Sequence, residues 1–354
     1  MWTTARWSSR ARKNGGERNE ARSGLRGDWG ADDATAMMAL LLVVIALVAM
    51  SLGGLVIFTA VTARRVETAL PPRGRFVEVA GARIHYLDKG SGPPIVILHG
   101  LGGQMGNFTY ALLERLTDEF RVILMDRPGS GYSRRARGAT GRLSEQAATV
   151  AEFIRKLGLE RPLLVGHSLG GAIALGVALD FPDSVKGLAL IAPLTHVEKN
   201  APAPFRALDI KSNFLRWVVA WTVATPIGIR GGKAILDAIF SPEAAPADFP
   251  TRAGGILGLR PRSFYNTSSD MRAVNLDLRA MVARYSSLRV PVRILYGTSD
   301  EVLSHQVHGE AMKAKSSMVR VELVAGGHML PITAPDVTAK FIKAAARSES
   351  AVSA

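Results

Sequence analysis

The residues best suited to chemistry lie in Gly166-His167-Ser168-Leu169-Gly170-Gly171, where an apolar run, Leu163–Val165, meets a helical pattern. A G-x-S-x-G sequence at a strand-to-helix junction puts its serine on a sharp turn. Gly166 and Gly170 flank that turn because side chains there would collide, and the hydroxyl is lifted above the strand ends. The helix that follows aims backbone N–H groups at any oxyanion forming beside the serine. A serine hydroxyl attacks carbonyl carbon only when a base takes its proton. Of the seven histidines (85, 99, 167, 196, 305, 308 and 328), only His328 combines a loop position after a strand, Val319–Val324, with a late place in the chain. The base in turn needs an orienting carboxylate. Asp300 follows strand Val292–Tyr296 and completes the order serine, acid, histidine, with Glu301 as the alternative acid and helix capping as a competing role for Asp300.

A second glycine-rich loop, Leu98-His99-Gly100-Leu101-Gly102-Gly103, follows strand Ile95–Leu98. It can present the Leu101 amide, or that of Gly102, to an oxyanion, and the Leu169 amide after the serine supplies the other donor. The loop lacks the spacing of a nucleotide phosphate loop. The predicted chemistry is acyl transfer to water, with Ser168 as nucleophile, His328 as base, Asp300 as orienter and no metal or organic cofactor.

Positioning these groups requires a sheet. Short apolar runs alternate with helical periodicity from Phe76 to Ala346, which predicts an α/β sheet opening with a hairpin at Ala80–Gly81–Ala82. Helices are expected at Asn107–Leu116, Ser144–Leu157, Leu169–Leu179, Val302–Lys315 and Pro335–Ala346. The alternation stops between about 195 and 288, where seven prolines break the chain into short pieces, as in a helical insertion between two strands.

With these elements in place, the chain resembles the α/β-hydrolase fold superfamily, as a serine-nucleophile, esterase- or lipase-like member. The resemblance rests on Leu98-His99-Gly100, Asp126-Arg127-Pro128-Gly129-Ser130-Gly131-Tyr132-Ser133, Gly166 to Gly171, Gly297-Thr298-Ser299-Asp300 and Gly327-His328. It implies a mostly parallel eight-stranded sheet flanked by helices, a helical cap after the sixth strand, and catalytic residues at the carboxyl ends of strands. Epoxide hydrolases and haloalkane dehalogenases carry Asp at the nucleophile position, against Ser168 here. Carbon–carbon hydrolases of the meta-cleavage-product type share the serine, and Gly102-Gly103 with Asn107-Phe108 echo their loop. They usually carry Trp after the histidine, where this chain has Met329. Ester hydrolysis is therefore the leading expectation, with carbon–carbon hydrolysis, perhydrolysis and a non-enzymatic binding module behind it.

Composition frames the rest. The chain has 354 residues, no cysteine, and a net charge of +14 from 44 basic and 30 acidic residues. Disulfides, thiolate metal sites and a cysteine nucleophile are excluded. The mean hydropathy of +0.14 owes much to one segment, Ala36–Ala63, which is 28 residues long without a charge. That length suffices to span a bilayer, and a transmembrane helix or signal anchor is expected there. The stretch exceeds the ~7–15 residues of a cleaved leader's apolar region. Three arginines precede it and five follow within about 20 residues, which leans toward a cytoplasmic catalytic part. Met37 and Met38 offer a later translation start.

The expected order is a disordered basic tail (1–35), the anchor (36–63), a linker (64–74), the catalytic domain (75–346, cap about 195–288) and a C-terminal tail (347–354). Apart from Arg134-Arg135-Ala136-Arg137 the basic residues are dispersed, so no nucleic-acid partner is expected, and anionic lipid suits the charge better. The expected substrate is a small-molecule or lipid ester. The apolar cap segment Phe214–Trp221 makes Trp217 and Trp221 candidate substrate contacts. The sequence by itself sets no oligomeric state.

Overall fold

The computed structural model describes residues 31–197 and 203–350. The chain divides into two compact units, Met1–Gly54 and Leu55–Ala354. One helix, α1 (Ala31–Ala69), runs through the boundary. It extends past both ends of the expected apolar segment, so Arg64 and Arg65 are helical and the linker shortens to the residues after Ala69. Of the expected basic tail, residues 31–35 are helical and 1–30 lie outside the described residues.

The sheet comprises β1 (Arg75–Val79), β2 (Ala82–Lys89), β3 (Pro94–Leu98), β4 (Arg121–Met125), β5 (Leu163–His167), β6 (Gly187–Ile191), β7 (Val292–Gly297) and β8 (Val319–Val324). Its spatial order is β1-β2-β4-β3-β5-β6-β7-β8. Only β1–β2 and β2–β4 pair antiparallel; the other five pairings are parallel. β5 and β6 are buried along their whole length, as strands covered on both faces must be. The two-residue period divides each strand between two cores. Val96 and Leu98 of β3 join one with Ile173, Leu278 and Tyr285; Ile95 and Ile97 join the other with Phe108, Phe341 and Ile342.

α2 (Leu143–Lys156) and α3 (Leu169–Asp180) cover the first face, and α7 (Pro335–Ser350) the second. α7 continues past Ala346 into the expected tail, of which 351–354 are not described. Between β6 and β7 the described residues form α4 (Asn213–Trp221), α5 (Ala224–Phe240) and α6 (Pro261–Ala283) with shorter turns and loops among them, the segment referred to below as the cap.

Two expected helices differ. Asn107–Leu116 is two short turns, Gly106–Thr109 and Glu114–Thr117, because Leu112 and Leu113 both direct their amides to the Phe108 carbonyl and the ladder breaks there. Val302–Lys315 is helical only from Gln306. Asp300 Oδ1 accepts the amides of Val302 and Leu303, both at 2.9 Å, and this local turn delays the helix.

Candidate active site

Ser168 joins β5 to α3 at φ 54°, ψ −120°, a left-handed conformation that costs a non-glycine residue of order 1–3 kcal/mol. Its surroundings over-determine the strain. The Ser168 amide donates to the Ile191 carbonyl at 3.0 Å, and the Ser168 carbonyl accepts from Gly171 at 2.9 Å and Leu194 at 3.1 Å. The glycines are required by space. A Cβ on Gly166 would stand 2.6 Å from the Gly170 carbonyl oxygen, and one on Gly170 would strike the Leu98 and His99 carbonyls. Leu169 is the first residue of α3, so its amide lies ahead of the intrahelical ladder and is open to an acceptor.

The loop after β3 passes directly beneath the serine. A Cβ on Gly100 would lie 3.0 Å from Ser168 Cβ and 3.4 Å from its Oγ. Leu101, the expected first oxyanion donor, packs partly buried against the core beside that loop. His99 is wholly buried. Its Nδ1–H donates to the Gly100 carbonyl at 2.9 Å and its Nε2 accepts the Arg127 amide at 3.0 Å. Burial, with the Arg127 charge second, lowers its pKa to about 3, so the ring stays neutral in one tautomer.

His328 and Asp300 converge on this place from the ends of β8 and β7. His328 Nδ1–H donates to Asp300 Oδ2 at 2.8 Å, and both side chains are shielded from solvent. Burial would raise the Asp300 pKa, but the His328 ring and the Leu303 and Val302 amides outweigh it and hold the carboxyl below its ordinary value. One carboxylate thus shapes its own loop through Oδ1 and orients the imidazole through Oδ2. Glu301, the alternative acid, is exposed. His167 ties the histidine loop to the serine turn, its Nε2–H donating to the His328 carbonyl at 3.0 Å with the two rings 4.9 Å apart. Burial first, then His328, brings the His167 pKa to about 3.

Several supporting residues escaped the sequence reading. Arg127 is fully buried and donates from Nε to the His99 carbonyl and from Nη2 to the Gly100 carbonyl, both at 2.9 Å. Its Nη1 reaches Gln146 Oε1 at 2.7 Å and Asp270 Oδ2 at 3.1 Å. The arginine therefore fixes the glycine-rich loop to α2 and to the cap helix α6. Asp126 accepts from His85 Nδ1 at 2.7 Å and from the Met105 and Tyr132 amides at 2.8 and 2.9 Å. Its position in Asp126–Ser133 was the available signal. Glu243, from the cap, accepts the Gly327 amide at 3.1 and 3.2 Å through its two oxygens, next to His328.

A small cleft lies between the glycine-rich loop and the cap, lined by Gly102, Gly103, Ser130, Leu257, Gly258 and Thr267 among others; Ser168, Asp300 and His328 are not among its lining residues. Trp217 and Trp221 are not among its lining residues. Both lie on α4, Trp217 53% exposed and Trp221 half-buried. Among the described residues no group of three or more His, Asp or Glu side chains stands close enough to hold a metal ion. Within the basic block, Arg135 is spent on Asp270. Such an arrangement brings an oriented imidazole and free backbone amides to a strained serine turn, the parts that acyl chemistry needs.

The model of the alpha/beta hydrolase fold family matches residues 93–335. Over 290 residues the chain is 29% identical to an uncharacterized protein of Mycobacterium tuberculosis, covering 79% of this chain and 82% of that one. A shorter match, 38% identical over 125 residues, joins 34% of this chain to 42% of haloalkane dehalogenase 2 from Mycobacterium tuberculosis. The chain spans about a third to two fifths of the length of the curated relatives with such short matches. Among solved structures, a membrane phospholipase A described as a bacterial virulence factor superposes with a TM-score of 0.62 at 24% identity, over 87% of this chain and 97% of that one. That likeness is one of fold.

Proposed function

We propose that this chain, which belongs to the alpha/beta hydrolase fold family, is a membrane-anchored serine hydrolase of lipophilic carboxylic esters, acylglycerols or phospholipids being the nearest chemical class. The observation that carries the reading is the hydrogen-bonded His328–Asp300 pair tied through His167 to the strained Ser168 turn. Ser168 Oγ attacks the ester carbonyl carbon while its proton passes to His328 Nε2. The tetrahedral oxyanion lies on the Leu101 and Leu169 amides, each such donor worth roughly 10²–10³ in rate. Collapse breaks the carbon–oxygen bond, the alkoxide takes the proton from His328, and water repeats the sequence on the acyl-serine. Asp300 stays ionised and stabilises the imidazolium.

A serine hydroxyl favours acyl chemistry over the displacement of halide that the dehalogenase relative's name denotes. α1 has an apolar window long enough to cross a bilayer, a property it shares with signal sequences. Its last turns favour an anchor, because they are built into the catalytic body. Thr59 and Val66 are buried, Glu67 pairs with Arg260 at 3.3 Å, and the Leu70 carbonyl accepts from the Tyr132 hydroxyl. Removal of the segment through Ala63 would take Thr59 with it. The lipid character of the substrate is inferred from that anchor.

The test is a fluorophosphonate probe with the adduct located by mass spectrometry, beside a panel of short esters, acylglycerols, phospholipids and one carbon–carbon cleavage substrate. Labelling at Ser168 and preference for long acyl chains are expected. Labelling that persists in Ser168→Ala overturns the nucleophile, and turnover confined to the carbon–carbon substrate overturns the ester reading.

A further inference from the structure

The α4–α5 segment of the cap leaves six large apolar side chains in the open: Phe214, Leu215 and Trp217 on α4, Val223 at the junction, and Ile227 and Ile229 on α5. Phe214 is 74% exposed and Ile227 61%. Soluble surfaces scatter such residues singly; so many exposed within one helix–turn–helix segment mark a contact surface. Lys211, Arg230 and Lys233 stand exposed among them, the last paired with Asp237. Apolar and aromatic side chains beside basic ones are the make-up of a helix that lies in a membrane interface.

The position of this face relative to the anchor identifies its occupant. Thr59 of α1 is buried and its hydroxyl donates to the carbonyl of Thr222 at 3.4 Å. Thr222 is the residue after α4, two before α5, and lies in sequence between the exposed residues of the two helices. Along the same helix, Arg64 and Arg65 follow Thr59 by five and six residues. At 1.5 Å per residue, Thr59 lies about 7.5 Å to the apolar side of Arg64. Charges that close a membrane span rest at headgroup level. The α4–α5 junction would then lie about 7.5 Å deeper, within the roughly 5–10 Å to which interfacial helices sink.

We propose that the α4–α5 face of the cap docks into the lipid bilayer, with Phe214, Trp217 and Ile227 in the acyl region and Lys211 and Arg230 on anionic phosphates. The proposal rests on reading α1 as an anchor. It bears on the site because α5 backs the cleft. The Thr225 hydroxyl donates to the Leu259 carbonyl at 2.9 Å, at the end of the turn Gly255–Leu259 whose Leu257 and Gly258 line the cleft with Gly102.

The absence of cysteine makes the test direct. Single cysteines at Phe214, Trp217 and Ile227, and a control at exposed Glu160 before β5, are labelled with an environment-sensitive fluorophore. The full chain also carries Ser168→Ala, so that lipid is not consumed, and is reconstituted into phosphatidylcholine–phosphatidylglycerol vesicles. The three cap labels should shift to the blue and be quenched by spin-labelled acyl chains, with the Glu160 label unchanged. Circular dichroism and vesicle flotation of each variant separate misfolding and anchor failure from docking failure. Folded, floating protein whose cap labels stay water-like overturns the docking alone. Protein that does not float overturns the anchor and the docking together. Cap labels that shift without lipid quenching, more strongly as protein per vesicle rises, mean that a second copy covers the face, and overturn the proposal.

Discussion

Mild acid should weaken the catalytic body through two histidines that the site keeps neutral. His99 and His167 are wholly enclosed, and burial, reinforced by Arg127 and His328 respectively, lowers each pKa from 6.5 to about 3. A folded-state pKa below the unfolded one means that the unfolded chain binds the proton first. The stability each ring contributes is therefore complete above pH 6.5 and is lost as pH falls toward 3. At pH 5 the unfolded chain has passed its pKa by about 1.5 units, at 1.36 kcal/mol per unit, so each ring costs about 2 kcal/mol and the pair about 4 kcal/mol. Asp126 and Asp300 are shifted in the same direction, with folded pKa values lowered, but from a lower starting value. Their stability is present above the ordinary carboxylate pKa near 4 and is lost only below it, so the window from pH 7 to 5 isolates the histidines. His196, lowered to about 4 and half-buried, adds a smaller amount of the same sign. The assay is denaturant unfolding of the full chain in mild detergent, read by tryptophan fluorescence and extrapolated to zero denaturant. His167→Gln keeps an N–H for the His328 carbonyl but cannot titrate, and should remove about half of the loss. A fall below about 1 kcal/mol between pH 7 and 5, or an undiminished fall in His167→Gln, would refute the reasoning.

Three other outcomes are expected. Asp300→Asn should leave the fold intact, because an amide oxygen can still accept the Val302 and Leu303 amides, yet lower kcat by roughly 10⁴ through the wrong imidazole tautomer, measured on a p-nitrophenyl ester. Gly100→Ala puts a methyl 3.0 Å from Ser168 Cβ and should slow fluorophosphonate labelling by about 10²-fold, the effect of displacing a reacting group by an ångström; Gly231→Ala, in a helix with no atom within 4 Å, should not. Arg127→Leu takes one donor from each of the His99 and Gly100 carbonyls and leaves Arg135 as the remaining ion-pair partner of buried Asp270, and should cost about 3–5 kcal/mol in the same unfolding assay.

How much of this was legible in the sequence follows from the range of each interaction. The serine turn was readable because its requirements are local: Gly166 and Gly170 lie two residues from Ser168, and the clashes that exclude side chains there arise within the turn and against the neighbouring strand. β3, β5 and β6 were readable because strands buried on both faces must be apolar throughout. Asp300 and His328 were reached by elimination along the chain. The helix expected from Val302 was overruled by the Asp300 side chain, which satisfied the amides a helix would have used differently.

Arg127 and Glu243 were illegible for the opposite reason. Their partners Asp270 and Gly327 lie 143 and 84 residues away, and no local periodicity reports a contact closed only by the fold. The cap shows the same division. Its sequence specified apolar helices and two tryptophans, but an amphipathic pattern states only that one face avoids water. Which face meets the protein is decided by competition among surfaces brought together in the folded chain. Here that competition buries Arg216 against Ser268 and leaves Phe214 and Trp217 outside.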